Sequence, residues 1–410
     1  MSTQSPPPAR ALAPDLARGV MLLLIGLANI PWFIWGRPSG MTMAHPLDPT
    51  GVDAVIQFVM LVTIDMRALP MFAFLFGYGM VQFVNSRERR GFDRPQISGM
   101  LSRRHWGMLL FGLVHAALLF FGDVLGTYAI LALVLGPLFF RRSDKVIRIA
   151  RGVIFGLAVL FAVFSLASGI MLLLVPEAMA SAGAFPMFDT KAPNAEPNYL
   201  ASIGARLSTW LFPTLGSIFG GTVAVALMSG WLAARKGLLD RPQDHVRTLR
   251  VWAIGGIATG WIGGLPEALA QVGVLPIPVE ISWMLIGVQQ VTGLFAGLGY
   301  AALFGLIAVA ISRRAERGIV VDAVEAVGQR SLSAYLFQSV CFAPLMCAWG
   351  FGLGGLIGTT AAAGIAILVW AVSVVLCWLL ARAGKRGPAE VALRGLTYAG
   401  RQPQPRGHVV

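Results

Sequence analysis

The chain has 410 residues, 56% of them hydrophobic and only 12% charged, at a mean hydropathy of +0.73. That much apolar surface excludes an ordinary soluble domain and makes lipid the solvent for much of the chain. A net charge of +13 would suggest nucleic acid in a soluble protein; here the basic residues flank apolar segments, so they read as topology signals and no nucleic-acid partner is expected.

In chain order, residues 1–18 are Pro-rich and read as a disordered cytoplasmic arm. The apolar segment after them is too long for a cleaved signal peptide and lacks a small-residue cleavage site, so it reads as a retained helix. Apolar stretches suited to crossing a bilayer lie at 19–36, 68–85, 106–122, 124–140, 152–175, 207–234, 250–270, 282–312, 331–349 and 355–381. The stretch 52–66 is shorter and runs into Thr63-Ile64-Asp65-Met66-Arg67, which places it as an outer-surface helix feeding the second span. The expected fold is an all-α polytopic bundle of about ten transmembrane helices, one domain over 19–385, with a cytoplasmic tail over 386–410. Charge sets the orientation: 28 of the 32 Lys and Arg fall on the side of the two termini, leaving Arg37, Arg67, Lys191 and Arg206 outside. This is the positive-inside bias of a multi-pass protein of a bacterial inner membrane. The longest loop, 176–206, is rich in Pro, Ala and Asn and falls outside.

Small-xxx-small pairs at Gly216/Gly220, Gly256/Gly260 and Gly293/Gly297 predict close helix packing. The run Gly350-Phe351-Gly352-Leu353-Gly354-Gly355 follows a membrane helix, not a strand, and is no dinucleotide loop. Cys341, Cys347 and Cys377 lie in apolar spans with no CxxC and no neighbouring His, against disulfides and against a metal site. There is no Walker A lysine, no HExxH and no supported GxSxG.

Ionisable side chains within apolar spans are costly and mark candidate function. His115 falls near mid-membrane, where an imidazole suits proton transfer; the alternative is a neutral core histidine bonded to a neighbouring helix. Arg104 precedes it by eleven residues, which returns to the same helix face about 16 Å away. Arg18 and Asn29 repeat that spacing in the first helix, so both cations suit a phosphate-bearing cofactor held from inside, or serve as plain positive-inside anchors. At the outer surface Gly122-Asp123 forms a turn, Arg67 opens the second span and Glu267 ends the seventh. These charges read as the mouth of a site above His115, or as an Arg67–Asp123 pair tying helix ends. Tyr335 and Gln338 give the ninth span a polar face.

These segments resemble the YeiB-like family of bacterial membrane proteins, domain of unknown function 418. The resemblance rests on Asp15-Leu16-Ala17-Arg18-Gly19 with Asn29, on Phe74-Leu75-Phe76-Gly77-Tyr78-Gly79, and on Arg103-Arg104 with His115 and Gly122-Asp123 through Tyr128. Its last blocks are Val327-Gly328 through Gln338-Ser339, and Gly387-Pro388-Ala389-Glu390 with Arg394 and Tyr398. The usual acidic-Trp pair after Gly-Pro reads Ala389-Glu390-Val391 here. The family is distantly similar to transmembrane acyltransferases. That similarity implies acyl-CoA or acetyl-CoA as co-substrate, with Arg18 and Arg104 binding it and His115 and Asp123 as catalytic groups. It also implies a small polar or glycan acceptor contacted by Asn29, Arg67, Glu267, Tyr335 and Gln338. Those relatives usually carry a histidine in the first helices, where this chain has Asn29, so the expected chemistry rests on His115. A transporter using the same polar path is the alternative, and a non-catalytic scaffold a third.

Overall fold

Helices make up the regular structure of the described residues, apart from one isolated bridge between Ser39 and Pro46. The structure is a computed structural model that describes residues 11–40, 44–175, 177, 190–314 and 316–398. In chain order the helices are α1 (Leu12–Asn29), α2 (Val52–Thr63), α3 (Ala68–Glu88), α4 (Arg94–Leu118), α5 (Leu125–Leu135) and α6 (Asp144–Leu174). They continue with α7 (Tyr199–Phe219), α8 (Thr222–Arg235), α9 (Val246–Gln271), α10 (Ile286–Ser312), α11 (Ile319–Gln329), α12 (Ser331–Met346), α13 (Thr359–Arg382) and α14 (Pro388–Tyr398).

Among the described residues five segments are long and apolar enough to cross a membrane: Leu12–Phe33, Val52–Glu88, Asp144–Leu174, Val279–Ser312 and Thr359–Arg382. The count becomes six if α7 and α8 form one span. Outward-facing apolar side chains belt the bundle, among them Leu157, Leu160 and Phe164 on α6, Val251 and Ile254 on α9, and Leu110 and Val114 on α4. Apolar surface on that scale requires lipid around it, so this is a membrane protein.

Several expected boundaries shift. The stretch 52–66 becomes α2 and a turn, and Val52–Glu88 is near-continuous. The expected span 207–234 is two helices bent by 55°, because Gly221 has a left-handed φ of 76° that no side chain-bearing residue adopts cheaply. The arm expected over 1–18 is helical from Leu12, and Leu12, Ala13 and Leu16 are buried there; residues 1–10 lie outside the described residues. The tail expected over 386–410 contains α14, whose Leu393 and Leu396 lie against Gly107 of α4; residues 399–410 lie outside the described ones.

Two of the three small-xxx-small pairs sit at close helix approaches. Gly256 and Gly260 face Phe295 and Ala296 of α10, while Gly293 and Gly297 admit the backbone of Met66 and Arg67. Gly216 faces open space, and its partner Gly220 precedes the α7–α8 break. The α3–α8 crossing is closer still. A Cβ on Gly77 would lie 2.2 Å from the Leu227 carbonyl oxygen, and one on Gly230 would lie 2.1 Å from that of Phe74.

The Gly-Pro block before α14 has a local purpose. Glu390 accepts hydrogen bonds from the backbone N–H groups of Leu332 and Ser333, at 2.8 and 3.1 Å, and bonds the Ser333 hydroxyl. A carboxylate from a distant helix therefore caps the N-terminus of α12, where orphan N–H groups and the helix dipole favour negative charge. Replacing Glu390 by Ala is expected to lower stability by about 1–2 kcal/mol and to reduce the thermal midpoint of the detergent-purified protein. An unshifted midpoint in the Ala variant would remove this cap from the account.

Candidate functional site: a buried histidine–aspartate pair

α4 begins with a complete cap. Asp93 accepts from the Gln96 N–H at 2.9 Å, and Gln96 accepts from the Asp93 N–H at 3.0 Å. The helix runs unbroken past Arg104 to His115 in its last turn. From Trp106 to Leu118 its apolar part is about 20 Å long at 1.5 Å per residue, shorter than a hydrocarbon core of about 30 Å. The turn that follows is accordingly enclosed: Phe120, Phe121, Asp123 and Leu125 are all buried. Arg206 of α7 donates to the Ala117 carbonyl at 2.8 Å, and the Tyr199 hydroxyl donates to that of Leu118 at 3.1 Å.

Inside the turn His115 Nδ1 lies 2.8 Å from Asp123 Oδ1, and neither side chain is exposed at all. The second carboxylate oxygen accepts from the Gly126 N–H at 2.7 Å. Gly112 and Gly126 make the approach possible, since a Cβ on Gly112 would lie 2.6 Å from Asp123 Oδ2. With Asp123 ionised, Nδ1–H donates to it and Nε2 keeps its lone pair. His115 Nε2 is buried and has no hydrogen-bond partner among the described residues.

Tyr335 and Gln338 of α12 face the same region. The Tyr335 ring centroid is 5.1 Å from that of His115, and its hydroxyl accepts from the Val124 N–H at 3.4 Å. Gln338 donates to the Leu22 carbonyl at 2.8 Å and packs on Gly26 of α1. Asn29 is half-buried at the C-terminal end of the same helix. The structure thus brings His115, Asp123 and Tyr335 together, with Gln338 one turn on from Tyr335.

At the other end of α4, Arg104 lies over the Phe83 ring at 5.6 Å, and Arg87 lies over the same ring at 5.0 Å. Arg18 bonds Asp15 at 3.0 Å and the Leu75 carbonyl at 3.2 Å. Burial, with the nearby Arg18 charge adding to it, pushes the Arg104 guanidinium down to about 10. No carboxylate lies in ion-pair range of Arg104 among the described residues. An anion would relieve that repulsion.

Arg67 does not join the mouth of this site. It is buried and donates to the Gly260 carbonyl at 2.7 Å, to Gln289 Oε1 at 2.5 Å and to the Asp65 carbonyl. A buried guanidinium takes the nearest oxygens it can desolvate, and here those belong to α9 and α10. The expected alternative, an Arg67–Asp123 pair, is absent. Glu267 is buried on α9 with its own contacts.

Two features escaped the sequence reading. His45 Nε2 lies 2.9 Å from Asp65 Oδ2 in a second buried pair, and no spacing rule links a loop histidine to a turn aspartate twenty residues on. Arg206 is fully buried, and its two terminal nitrogens lack hydrogen-bond partners among the described residues. The sequence placed it at the end of the loop 176–206, whereas the structure puts it inside α7 (Tyr199–Phe219).

Residues 233–400 match the family model described as "Protein of unknown function (DUF418)". The uncharacterized protein YxaH of Bacillus subtilis (strain 168) is 25% identical over 353 residues, which span 83% of this chain and 81% of its own length. The uncharacterized protein YeiB of Escherichia coli (strain K12) is 25% identical over 407 residues, spanning 93% of this chain and 95% of its own. No solved structure gives a significant match.

Removing Asp123 orphans both His115 Nδ1–H and the Gly126 N–H. Asp123→Ala is therefore expected to cost roughly 2–4 kcal/mol. The double variant with His115→Ala should cost clearly less than the two single changes summed. Chemical denaturation in detergent checks this, and strictly additive losses would mean the two side chains are not coupled.

Proposed function

The chain belongs to the YeiB-like DUF418 family, and from that premise we propose that it transfers an acyl group across the bacterial inner membrane. The donor is cytosolic acyl-CoA, with acetyl-CoA the simplest case, and the acceptor is a sugar or small polar molecule on the far side. The observation that carries this reading is the enclosed His115–Asp123 pair, bonded through Nδ1 at 2.8 Å with Nε2 unengaged among the described residues. Asp123 fixes the tautomer, and His115 Nε2 takes the proton from the acceptor hydroxyl as its oxygen attacks the thioester carbonyl. The tetrahedral intermediate then collapses, the C–S bond breaks, and the imidazolium returns the proton to the departing CoA thiolate. Arg104 and Arg18 hold the CoA phosphates at the inner face, on helices that also carry His115 and Asn29. Tyr335, Gln338 and Asn29 contact the acceptor.

This reading uses the ten-span topology, with both termini cytoplasmic and the chain in a multi-pass arrangement. It is supported by the basic-residue split of 28 to 4. In that arrangement the α4 end bearing Arg104 faces the cytosol, and the α4–α5 turn bearing His115 faces outward.

A second reading is a small-molecule transporter. The α7–α8 break favours it: two helices bent by 55° at Gly220-Gly221 are a form of discontinuous membrane helix that transporters use at binding sites. The two readings part on whether the substrate is chemically changed.

Two experiments test the proposal. A topology reporter fused after Val410 or inserted at 242–244 is expected to report cytoplasm, and one at 190–195 the outside; a cytoplasmic signal from 190–195 rules out the ten-span arrangement. His115→Gln keeps size and hydrogen bonding but relays no proton at neutral pH. The variant should insert, melt near wild type and bind CoA, yet lose acyl transfer by about 10² or more. Full turnover in the Gln variant would remove His115 from the mechanism.

A further inference from the structure

A cavity of about 420 Å³ lies away from the His115 turn, between the N-terminal halves of α6 and α9 and the end of α8, with Phe74 of α3 and Leu298 and Ala302 of α10 behind it. Its rim is cationic. Arg148 and Arg151 come from the first two turns of α6, and Lys236 from the turn after α8. The one carboxylate on the rim, Asp144, is already engaged: Arg235 holds it at 2.7 Å. Among the described residues none of the three rim cations has a carboxylate in ion-pair range. Arg151 reaches only the Ser229 hydroxyl, at 3.3 Å, and Arg148 Nε only the Asp144 carbonyl, at 3.2 Å. Three like charges converge here with no anion among them.

The interior of the cavity is of the opposite kind. Its wall is Phe74, Leu232, Leu249, Trp252, Leu298 and Ala302. Deeper in the bundle the Phe295 ring lies between Phe155 of α6, at 5.7 Å, and Trp252 of α9, at 6.5 Å. Sideways the cavity meets the lipid-facing surface, because Trp252 both lines it and is 41% exposed. Val251, next to Trp252 in α9, is also exposed. Plain topological anchors need a hydrated headgroup region and no cavity. A cationic rim over an apolar pocket that opens sideways to lipid fits a ligand with a phosphate at one end and hydrocarbon at the other.

We propose that this pocket binds an anionic phospholipid from the leaflet it opens on, with the phosphate held by Arg148, Arg151 and Lys236 and the first acyl carbons lying against Trp252, Leu298 and Ala302. Membrane lipid is favoured over a soluble phosphate ester by the lateral opening and by the apolar wall, which a hydrated phosphate alone would not use. The site is independent of the acyl-transfer reading and stands or falls apart from it.

The test uses the full chain in nanodiscs of equal phosphatidylglycerol and phosphatidylcholine, released into native mass spectrometry so that retained lipids are counted. Wild type is expected to keep phosphatidylglycerol in preference. The variant R148Q/R151Q/K236Q should lose that preference by about tenfold or more. A302W fills the pocket and keeps every cation, and should lose it as well while melting within a few degrees of wild type. In detergent, short-chain phosphatidylglycerol should raise the melting temperature of wild type and not of the triple variant, while inorganic phosphate and CoA raise it far less. An undiminished preference in either variant overturns the proposal. So does equal retention of both lipids by wild type, or a shift with inorganic phosphate or CoA as large as that with phosphatidylglycerol.

Discussion

The guanidinium of Arg67, enclosed where α2 turns into α3, is the interaction on which one half of the bundle depends. With no water to solvate it, its donors end on the Gly260 carbonyl of α9, on Gln289 of α10 and on the turn's own Asp65 carbonyl. One cation thereby ties three helices, and its removal leaves several buried oxygens without donors. The turn is shaped for this. Met66 takes a left-handed φ of 58°, costly for a residue with a side chain, and Gly293 and Gly297 of α10 leave room for its backbone. Tyr300 extends the network, donating to the Thr63 carbonyl at 2.6 Å and accepting from Trp261 at 2.7 Å. The glycine stripe on α10 and the cation at the head of α3 are therefore parts of one packing solution.

The same constraint produces two buried histidine–aspartate pairs, and their surroundings separate them. His45 sits beside Pro46, whose carbonyl accepts from both Gln57 and Gln271, and Gln271 also donates to Gln57. That polar knot joins the loop after α1 to α2 and α9 beside the pair, whose His45 Nδ1, like His115 Nε2, has no hydrogen-bond partner among the described residues. His115 belongs to no such knot. Its partner Asp123 also accepts from the Gly126 N–H, and its neighbours are the rings of Phe120 and Tyr335. The result is a carboxylate–imidazole unit among aromatic rings, on a helix whose other end carries an arginine with no carboxylate in ion-pair range among the described residues.

What the sequence made legible follows from how local each interaction is. His115 and Asp123 are eight residues apart across a Gly-containing turn, so both could be singled out as candidates, but the sequence left Asp123 between the mouth of a site and a pair with Arg67, and only the fold shows it bonded to His115. The continuity of α4 and α1 was readable, since a propagating helix preserves the eleven-residue spacing of Arg104 to His115 and Arg18 to Asn29. Arg67 was misread because its partners lie some two hundred residues away, where pattern carries no register. The break at Gly220-Gly221 was invisible for a different reason: the apolar run across it is continuous, and a glycine within a membrane helix usually marks packing. Glu390 shows the limit most sharply. Its block was recognised by resemblance alone, and only the fold reveals that its carboxylate caps a helix whose sequence begins fifty-nine residues earlier.

The basic residues carry two messages that composition superimposes. As a set they form a bias along the chain, and any one of them could be moved by a few residues without changing it. Individually they divide by what receives their charge. Arg235 is neutralised by Asp144, Arg103 donates to the Thr397 carbonyl, and Arg330 donates to the Ala326 and Lys385 carbonyls; these stitch helices and loops together. Arg104 has an aromatic face and another arginine for company, while Arg148, Arg151 and Lys236 share a cavity rim. Uncompensated cations held that close repel one another, and a fold tolerates such repulsion where a counter-anion arrives from outside the chain. A charge bias along the chain accounts for basic residues flanking apolar helices; it does not account for Arg148, Arg151 and Lys236 lining one cavity, which only the fold reveals.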